Sequence, residues 1–354
     1  MFQILRYLLS RERAGLRRSI GSVYAVLLVL NVLAWGWAVL IFRSQPLLLG
    51  TALLAYGFGL RHAVDADHIA AIDNVTRKLM QEGKRPATVG FYFAMGHSTV
   101  VIVAAAVIAV TASVLSSRFT ALHSIGGIVS TSVSSLFLLV IAFMNLVIFL
   151  SVWRTFRHVR EGGTYVEEDL DLLLNQRGFA ARLFRPLFRF VRHSWHMFPL
   201  GLLFGLGFDT ATEVALLGIS ATQASKGTSI WVIMVFPALF AAGMSLIDTT
   251  DGVLMLGAYD WAFVKPVRKL FYNMTITLVS VVVAVLIGGI EALGLIRDQL
   301  NLSGSFWNVV DRLNGNFNGL GFAIIGVFVV TWAASIIIYR YKGYDALEVR
   351  SAQD

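Results

Sequence analysis

The chain has 354 residues, of which 57% are hydrophobic and only 14% are charged. Soluble globular domains carry about 25% charged residues, so this composition excludes a soluble protein and indicates a polytopic membrane protein. The formal net charge of +8 would suit nucleic acid binding, but the basic residues are distributed between loops as membrane topology requires.

Eight apolar runs reach the roughly 20 residues that a membrane-spanning helix needs. They are numbered here as spans 1 to 8 and cover residues 20–42, 47–72, 88–111, 125–152, 197–220, 228–256, 270–296 and 318–339. The first run is long enough to span and has no evident cleavage site, so an uncleaved helix is predicted. The sequence therefore predicts an all-α fold with eight transmembrane helices.

Basic residues alternate between the connections. The N-terminal arm, the loops after spans 2, 4 and 6, and the C-terminal tail hold 23 of the 29 Lys and Arg residues. The positive-inside rule then places both termini in the cytoplasm. The predicted organisation is a basic arm at 1–19, spans 1–4 at 20–152, a cytoplasmic loop at 153–196, spans 5–8 at 197–339 and a tail at 340–354.

The loop after span 4 contains a second pattern. From Arg177 onward, arginines recur every three or four residues among Phe and Leu, which predicts an interfacial amphipathic helix on anionic membrane lipid. A metal sensor built on His193 and His196 is the alternative interpretation of this loop.

Span 2 contains the segment whose polar side chains are most costly, in free energy, to place inside a bilayer. Residues 62–68 read His-Ala-Val-Asp-Ala-Asp-His, and a charged side chain at the centre of a spanning helix costs about 2.5–3.5 kcal/mol. Such a cluster is expected to face a protein-lined cavity. On a regular helix, His62, Asp65 and His68 share one face. Asp67 joins them only if the helix is locally unwound, or it orients a neighbouring histidine.

Further polar groups lie in spans 3, 5 and 6. His97 follows a glycine in span 3, and carboxylates form an i, i+4 pair at Asp209 and Glu213 and an i, i+3 pair at Asp248 and Asp251. Like charges this close in a poor solvent need a cation, a bound proton or a nearby arginine. These carboxylates are therefore predicted to line a polar pathway or a proton relay.

Asn31 is a single amide among the apolar residues of span 1. Taken alone, it is expected to make an interhelical hydrogen bond, with contact to a metal pocket as the second interpretation. The chain has no cysteine, so any metal is held by nitrogen and oxygen ligands.

Spans 2 and 3 resemble spans 5 and 6. Phe-Gly-Leu occurs at 58–60 and again at 204–206, and Phe-Ala-x-Gly-x-Ser occurs at 93–98 and 240–245. An offset of three spans is odd, so the copies would cross the membrane in opposite senses. This pattern predicts an inverted repeat with the substrate site near mid-membrane. Chance is the alternative, because Phe, Gly, Ala and Leu dominate membrane helices.

Four motifs in this order resemble the nickel/cobalt transporter family (NiCoT). They are RHAVDADHIAAIDN at 61–74, Gly-His-Ser-Thr at 96–99, Leu-Gly-Phe-Asp-Thr-Ala-Thr-Glu at 206–213 and Gly-Met-x3-Asp-Thr-x-Asp at 243–251. The resemblance covers span 1 through at least span 6. It is closest to the bacterial high-affinity nickel permeases.

The resemblance implies an inner-membrane permease that imports Ni2+, and in some members Co2+, as a secondary transporter with no cofactor and no ATPase subunit. It assigns His62, Asp67 and His68 to the family signature and gives Asn31 a part in metal preference. The family stresses Asp67 whereas the helical wheel favours Asp65, which hints that span 2 is irregular. The predicted metal site comprises Asn31, His62, Asp65, Asp67, His68 and His97.

Two other functions compete with nickel import. A proton-coupled carrier of another solute could use the same groups as a relay, and an intramembrane metalloenzyme could hold catalytic zinc with them. The sequence lacks His-Glu-x-x-His, and it lacks a Walker A motif. A transporter that is not an enzyme is therefore expected.

Overall fold

The computed structural model describes residues 14–111, 116–160, 191–206, 211–262 and 266–341. Every regular element within these ranges is a helix, which confirms the all-α prediction. The predicted amphipathic helix after residue 177 lies almost wholly outside the described residues. Asp209, the first 13 residues and the tail from 342 onward also lie outside them.

Twelve α-helices are described, and they are numbered here in chain order. They are α1 (Ala14–Phe42), α2 (Pro46–His62), α3 (Ala66–Gln81), α4 (Val89–Thr111), α5 (Ser116–Arg160), α6 (Met197–Phe204), α7 (Ala211–Ser225), α8 (Ile230–Ile233), α9 (Val235–Ala262), α10 (Pro266–Leu300), α11 (Ser305–Asn314) and α12 (Phe317–Tyr341). A short 3-10 turn, Ser194–His196, precedes α6.

Five stretches of helix within the described residues are long and apolar enough to cross a membrane. Two bent helix pairs, α2 with α3 and α11 with α12, raise the number to seven if each pair forms one span. The predicted fifth span is divided into α6 and α7, on either side of residues 207–210. A polytopic membrane protein is therefore confirmed, while the count of eight spans stays a prediction.

Span 2 is broken in the middle of its polar segment. Helix α2 ends at His62, α3 begins at Ala66, and the two helices meet at a 51° bend. Asp65 precedes α3 in an extended conformation, with φ −74° and ψ 148°. The predicted irregularity of span 2 is confirmed. The regular helical wheel is therefore wrong for this segment, because no single helix carries His62, Asp65 and His68.

Helix α3 continues further than the sequence pattern predicted. The sequence predicts a cytoplasmic loop at 73–87, but residues 73–81 are helical. Arg77 and Lys78 lie in this extension and are only 1% and 4% exposed. Helix α3 as a whole packs against α9, α12, α10 and α5, so charges on this helix lie among other helices.

Glycines let the repeat-related helices cross closely. A Cβ atom on Gly59 of α2 would overlap the carbonyl oxygen of Phe240 on α9, and one on Gly96 of α4 would overlap the carbonyl oxygen of Phe198 on α6. Helix α2 thus packs on α9 as α6 packs on α4. Two copies related by a twofold axis give such reciprocal contacts, so the contacts support the predicted repeat, while its inverted sense stays a prediction.

Replacing Gly59 with Ala is expected to destabilise the protein. The added methyl group must displace backbone, and overpacking of this kind costs about 1–3 kcal/mol. Thermal unfolding of the purified protein in detergent measures the effect, with Gly57→Ala as the matched control on the same helix. A Cβ atom on Gly57 meets nothing within 4 Å, so a melting temperature lowered equally in both variants would contradict the assigned crossing.

Candidate metal centre

Three histidines from separate helices converge inside the protein. His62 ends α2, His68 lies in the first turn of α3 and His97 lies within α4. One ring nitrogen from each lies within 4.8 Å of the other two. The three residues are 2%, 0% and 3% exposed. The bend in span 2 brings the first two together, and α4 supplies the third.

The nitrogen spacing suits a shared ion. Nε2 of His62 lies 3.0 Å from Nε2 of His97. Two ligands at right angles with metal–nitrogen bonds of about 2.1 Å are separated by about 3.0 Å. Neutral imidazole nitrogens are good ligands for nickel, copper, iron and zinc. The described structure therefore holds a candidate site for one transition-metal ion.

Asp248 orients the His68 ring. Both oxygens of this carboxylate on α9 lie 3.3 Å from Nδ1 of His68, while Nε2 of the same ring is buried and has no hydrogen-bond partner in the part of the chain that the structure describes. A carboxylate that accepts the Nδ1 proton leaves Nε2 with a lone pair for a metal, which is the usual outer support of a ligating histidine. The sequence predicts that Asp248 lines a polar pathway or a proton relay. Its contact with Nδ1 also places it to position the His68 ring.

Glu213 and Thr212, at the start of α7, complete the surroundings of His62 and His97. Oε1 of Glu213 lies 2.8 Å from Nε2 of His97 and 3.8 Å from Nε2 of His62. Thr212 Oγ1 lies 3.3 Å from Nδ1 of His62. Sequence reasoning named Glu213 but missed Thr212, although it lies within a quoted motif.

The two aspartates of span 2 have different surroundings. Asp65 is 4% exposed, and its Oδ2 lies 3.8 Å from Nδ1 of His62. Asp67 accepts a hydrogen bond from the backbone nitrogen of His68 at 2.9 Å, so it faces the free N–H groups at the start of α3. Asp65 therefore lies beside the histidines, whereas Asp67 accepts a hydrogen bond from the backbone of its own helix.

Asn31 lies at the junction of three helices. Its Nδ2 donates to the carbonyl oxygens of Leu27 at 2.9 Å and Ala242 at 3.4 Å, and its Oδ1 accepts from the Tyr56 hydroxyl at 3.0 Å. This amide joins α1 to α2 and α9, the two helices that carry His62 and Asp248. These hydrogen bonds match the predicted interhelical role of Asn31. They affect the histidine site by fixing the positions of α2 and α9 relative to α1.

Two aromatic rings flank the histidines. Phe93 of α4 packs edge-on against His68, with ring centroids 4.8 Å apart, and Phe240 of α9 lies 5.5 Å from His62. Sequence reasoning quoted both residues only as repeat members. Their matching positions in the two copies were the signal that could have identified them as neighbours of the site.

The remaining predicted carboxylate, Asp251, lies one helical turn beyond Asp248 on α9. Its Oδ2 is buried with no hydrogen-bond partner among the described residues. It lies on the part of α9 between the contact of Asp248 with His68 and the contact of Tyr259 with Asp73.

Buried imidazoles, nearby carboxylates and broken apolar helices indicate the class: a polytopic membrane protein with a candidate metal site inside it, as expected of a metal-ion permease. The comparison with known sequences is more specific. Residues 48–338 match the profile of the NicO family, described as high-affinity nickel-transport protein. The chain belongs to this family, which confirms the resemblance drawn from its motifs.

Relatives of similar length extend this result. A high-affinity nickel transport protein of Cupriavidus necator is 60% identical over 99% of this chain and 100% of its own length. The nickel transporter NicT of Mycobacterium tuberculosis is 44% identical, covering 91% of this chain and 89% of that protein. The cobalt transport protein NhlF of Rhodococcus rhodochrous is 41% identical, with coverage of 92% and 94%. No solved structure matches the chain significantly.

Proposed function

We propose that this protein is a secondary transporter that imports Ni2+, with Co2+ as a second substrate, across the bacterial cytoplasmic membrane. The observation that carries the proposal is the convergence of three buried histidine nitrogens within 4.8 Å in a chain of the nickel-transport family. Relatives named as nickel and cobalt transporters support both substrates.

The ligands divide into two groups in this proposal. His62, His68 and His97 bind the ion directly, because their nitrogens converge. Asp65 is the better placed of the two span 2 aspartates to join them, since it lies beside His62. Asp67 and Asn31 act through helix position, and Asp248 holds the His68 ring in orientation through Nδ1. Glu213 contacts the same Nε2 atoms of His97 and His62 that face the ion, so it is placed as a further oxygen ligand. Imidazole ligands exclude the far more abundant Mg2+ and Ca2+, which prefer oxygen.

The membrane potential supplies sufficient driving force. Moving two positive charges inward is worth about 4.6 kcal/mol per 100 mV, which corresponds to roughly three decades of accumulation. An ATPase subunit is therefore unnecessary in the proposal. The distribution of Lys and Arg supports cytoplasmic termini, so the ion enters from the opposite face.

Uptake of radioactive nickel by cells that express the chain tests the proposal. Cells with the wild-type protein are expected to accumulate nickel, and cells with His68→Ala are expected to lose the increase over vector-only cells. His193→Ala is the control, because this exposed histidine lies before α6. Each variant is compared at equal membrane abundance. The proposal is wrong if wild-type cells take up no more nickel than vector-only cells.

Replacing Asn31 with Ala is expected to change the ratio of nickel to cobalt uptake. The substitution removes the hydrogen bonds to Tyr56 and Ala242, so α2 and α9 can shift relative to each other and alter ligand spacing. Ni2+ and Co2+ share their ligand preferences, which leaves geometry to separate them. Competition uptake with the two metals measures the ratio, and an equal decrease for both would mean that Asn31 is only structural.

A further inference from the structure

A second buried polar cluster lies along the same helices as the histidine site. We call it the inner polar cluster, and it forms where α3, α5, α9 and α10 meet. All its members are at most 3% exposed. They are Asp73, Asn74, Arg77, Asn145, Tyr259 and Ser280.

The carboxylate of this cluster is held by hydroxyl groups. Oδ1 of Asp73 accepts a hydrogen bond from the Tyr259 hydroxyl, and Oδ2 accepts one from Ser280 Oγ at 2.7 Å. Carboxylate and hydroxyl oxygens such as these, and the carboxylate of Asp251 on α9, are ligand atoms of the kind that divalent cations prefer. The cluster thus contains several oxygen ligands in one buried place.

Arg77 is incompletely paired in this cluster. Its Nη2 donates to Asn74 Oδ1 at 2.9 Å, whereas Nε and Nη1 have no hydrogen-bond partner among the described residues. A guanidinium is always charged and carries five donors, and burying such donors unpaired is costly. Arg77 lies four residues beyond Asp73 on α3, so the two side chains project from the same face of this helix. The guanidinium therefore has donors left over close to a buried carboxylate.

The cluster lies on the predicted cytoplasmic side of the histidine site. Asp73 is five residues beyond His68 on α3, about 7.5 Å at 1.5 Å per residue, and both α3 and α9 lead from the histidines toward basic loops. Asp251 lies along α9 between Asp248, which contacts His68, and Tyr259, which bonds to Asp73. A row of three carboxylates therefore leads inward from the histidines.

We propose that Asp73 and Asp251 form a second, oxygen-ligand station for the divalent cation on its way to the cytoplasm, and that Arg77 compensates these carboxylates whenever the cation is absent. This inference rests on the proposed transport function. Nickel passes from imidazole ligands to weaker oxygen ligands. The fixed charge of Arg77 then repels it, and this repulsion favours release to the cytoplasm.

Binding of Mn2+ to the purified full-length protein tests the station directly. Mn2+ prefers oxygen ligands, and its electron paramagnetic resonance signal reports the bound fraction. Arg77→Gln is expected to bind one more Mn2+ than wild type at the same Mn2+ concentration, because loss of the compensating charge strengthens cation binding at the station. Asp73→Asn in the Arg77→Gln background is expected to remove that site, and His68→Ala in the same background is expected to leave it.

Charge-matched controls separate the station from a general effect of charge removal. Lys78→Gln removes the neighbouring buried charge. The Lys78 amine donates to the Val191 carbonyl oxygen and pairs with Glu82, so this variant is expected to gain no Mn2+ site. Arg77→Lys keeps the charge and is also expected to gain none. A gain in Lys78→Gln, or no gain in a folded Arg77→Gln, would overturn the inference.

A second measurement does not depend on the folding of Arg77→Gln. Asp73→Asn is expected to lower the nickel uptake rate about tenfold, a typical coupling between interacting sites, while nickel affinity of the purified protein stays within about twofold. Unchanged uptake, or an equal loss of affinity, would overturn the station. Absent uptake by the wild-type chain would instead refute the transport function, and the Mn2+ result would still stand separately.

Discussion

Nickel binding by the purified protein is expected to weaken by about 100-fold or more when His97 is replaced by Ala. His97 is the only one of the three convergent histidines on α4, and its Nε2 contacts both His62 and Glu213. Its removal deletes one nitrogen ligand and leaves the Glu213 carboxylate without that partner. Loss of an outer support alone costs a metal site about 10- to 100-fold, so loss of a ligand is expected to cost more.

Equilibrium dialysis with nickel measures this change, and His193→Ala serves as the histidine control. X-ray absorption at the nickel edge adds an independent readout, because it reports the imidazole ligands around the bound ion. We expect one fewer imidazole in the His97 variant. An unchanged affinity with an unchanged ligand shell would mean that His97 only packs beside the site.

Asp248→Asn is expected to weaken nickel binding by about 10- to 100-fold. The amide has nearly the shape of the carboxylate, so packing at the completely buried position is retained. The amide cannot offer two anionic oxygens to Nδ1 of His68. In the wild-type protein both carboxylate oxygens of Asp248 lie 3.3 Å from this nitrogen. The ring is then free to turn or to change tautomer, and Nε2 no longer faces the ion.

Glu291→Gln is the matched control for this second prediction. Glu291 is also a buried carboxylate, but both its oxygens accept hydrogen bonds from Ser134 Oγ, at 2.9 and 2.8 Å, between α10 and α5. Its replacement is expected to leave nickel affinity unchanged within about twofold. Equal losses in the two variants would show that binding responds to buried charge in general, and the orienting role of Asp248 would be refuted.

The sequence indicated the ligand types because polar groups in a bilayer are costly. Two histidines and two aspartates within seven residues of an apolar span have few explanations other than a cavity with a cation. The same reasoning found His97, Glu213 and Asp248, all of which the structure brings to the histidine site. It also found Asp251, which lies one turn farther along α9. The role of each in transport remains a prediction.

The arrangement of span 2 could not be derived from its composition. A regular helix would separate His62 from His68 by about 120° around its axis, yet their ring centroids lie 4.7 Å apart because the chain bends between α2 and α3. Residues 63–65 carry no proline or glycine to announce this break. Only the conflict between the wheel and the family signature pointed to it.

Burial of the inner polar cluster is the second feature that could not be predicted from the sequence. The sequence analysis counts Arg77 and Lys78 in the cytoplasmic loop after span 2, because Lys and Arg are enriched in such loops. Burial of Arg77 depends on α5, α9 and α10, whose residues lie far along the chain from α3. By itself the sequence determined the class of protein, the apolar spans and the kinds of metal ligand, because transfer free energies act residue by residue. Only the tertiary structure decided which ligands meet, how span 2 bends and where Arg77 lies, because these depend on contacts between distant helices.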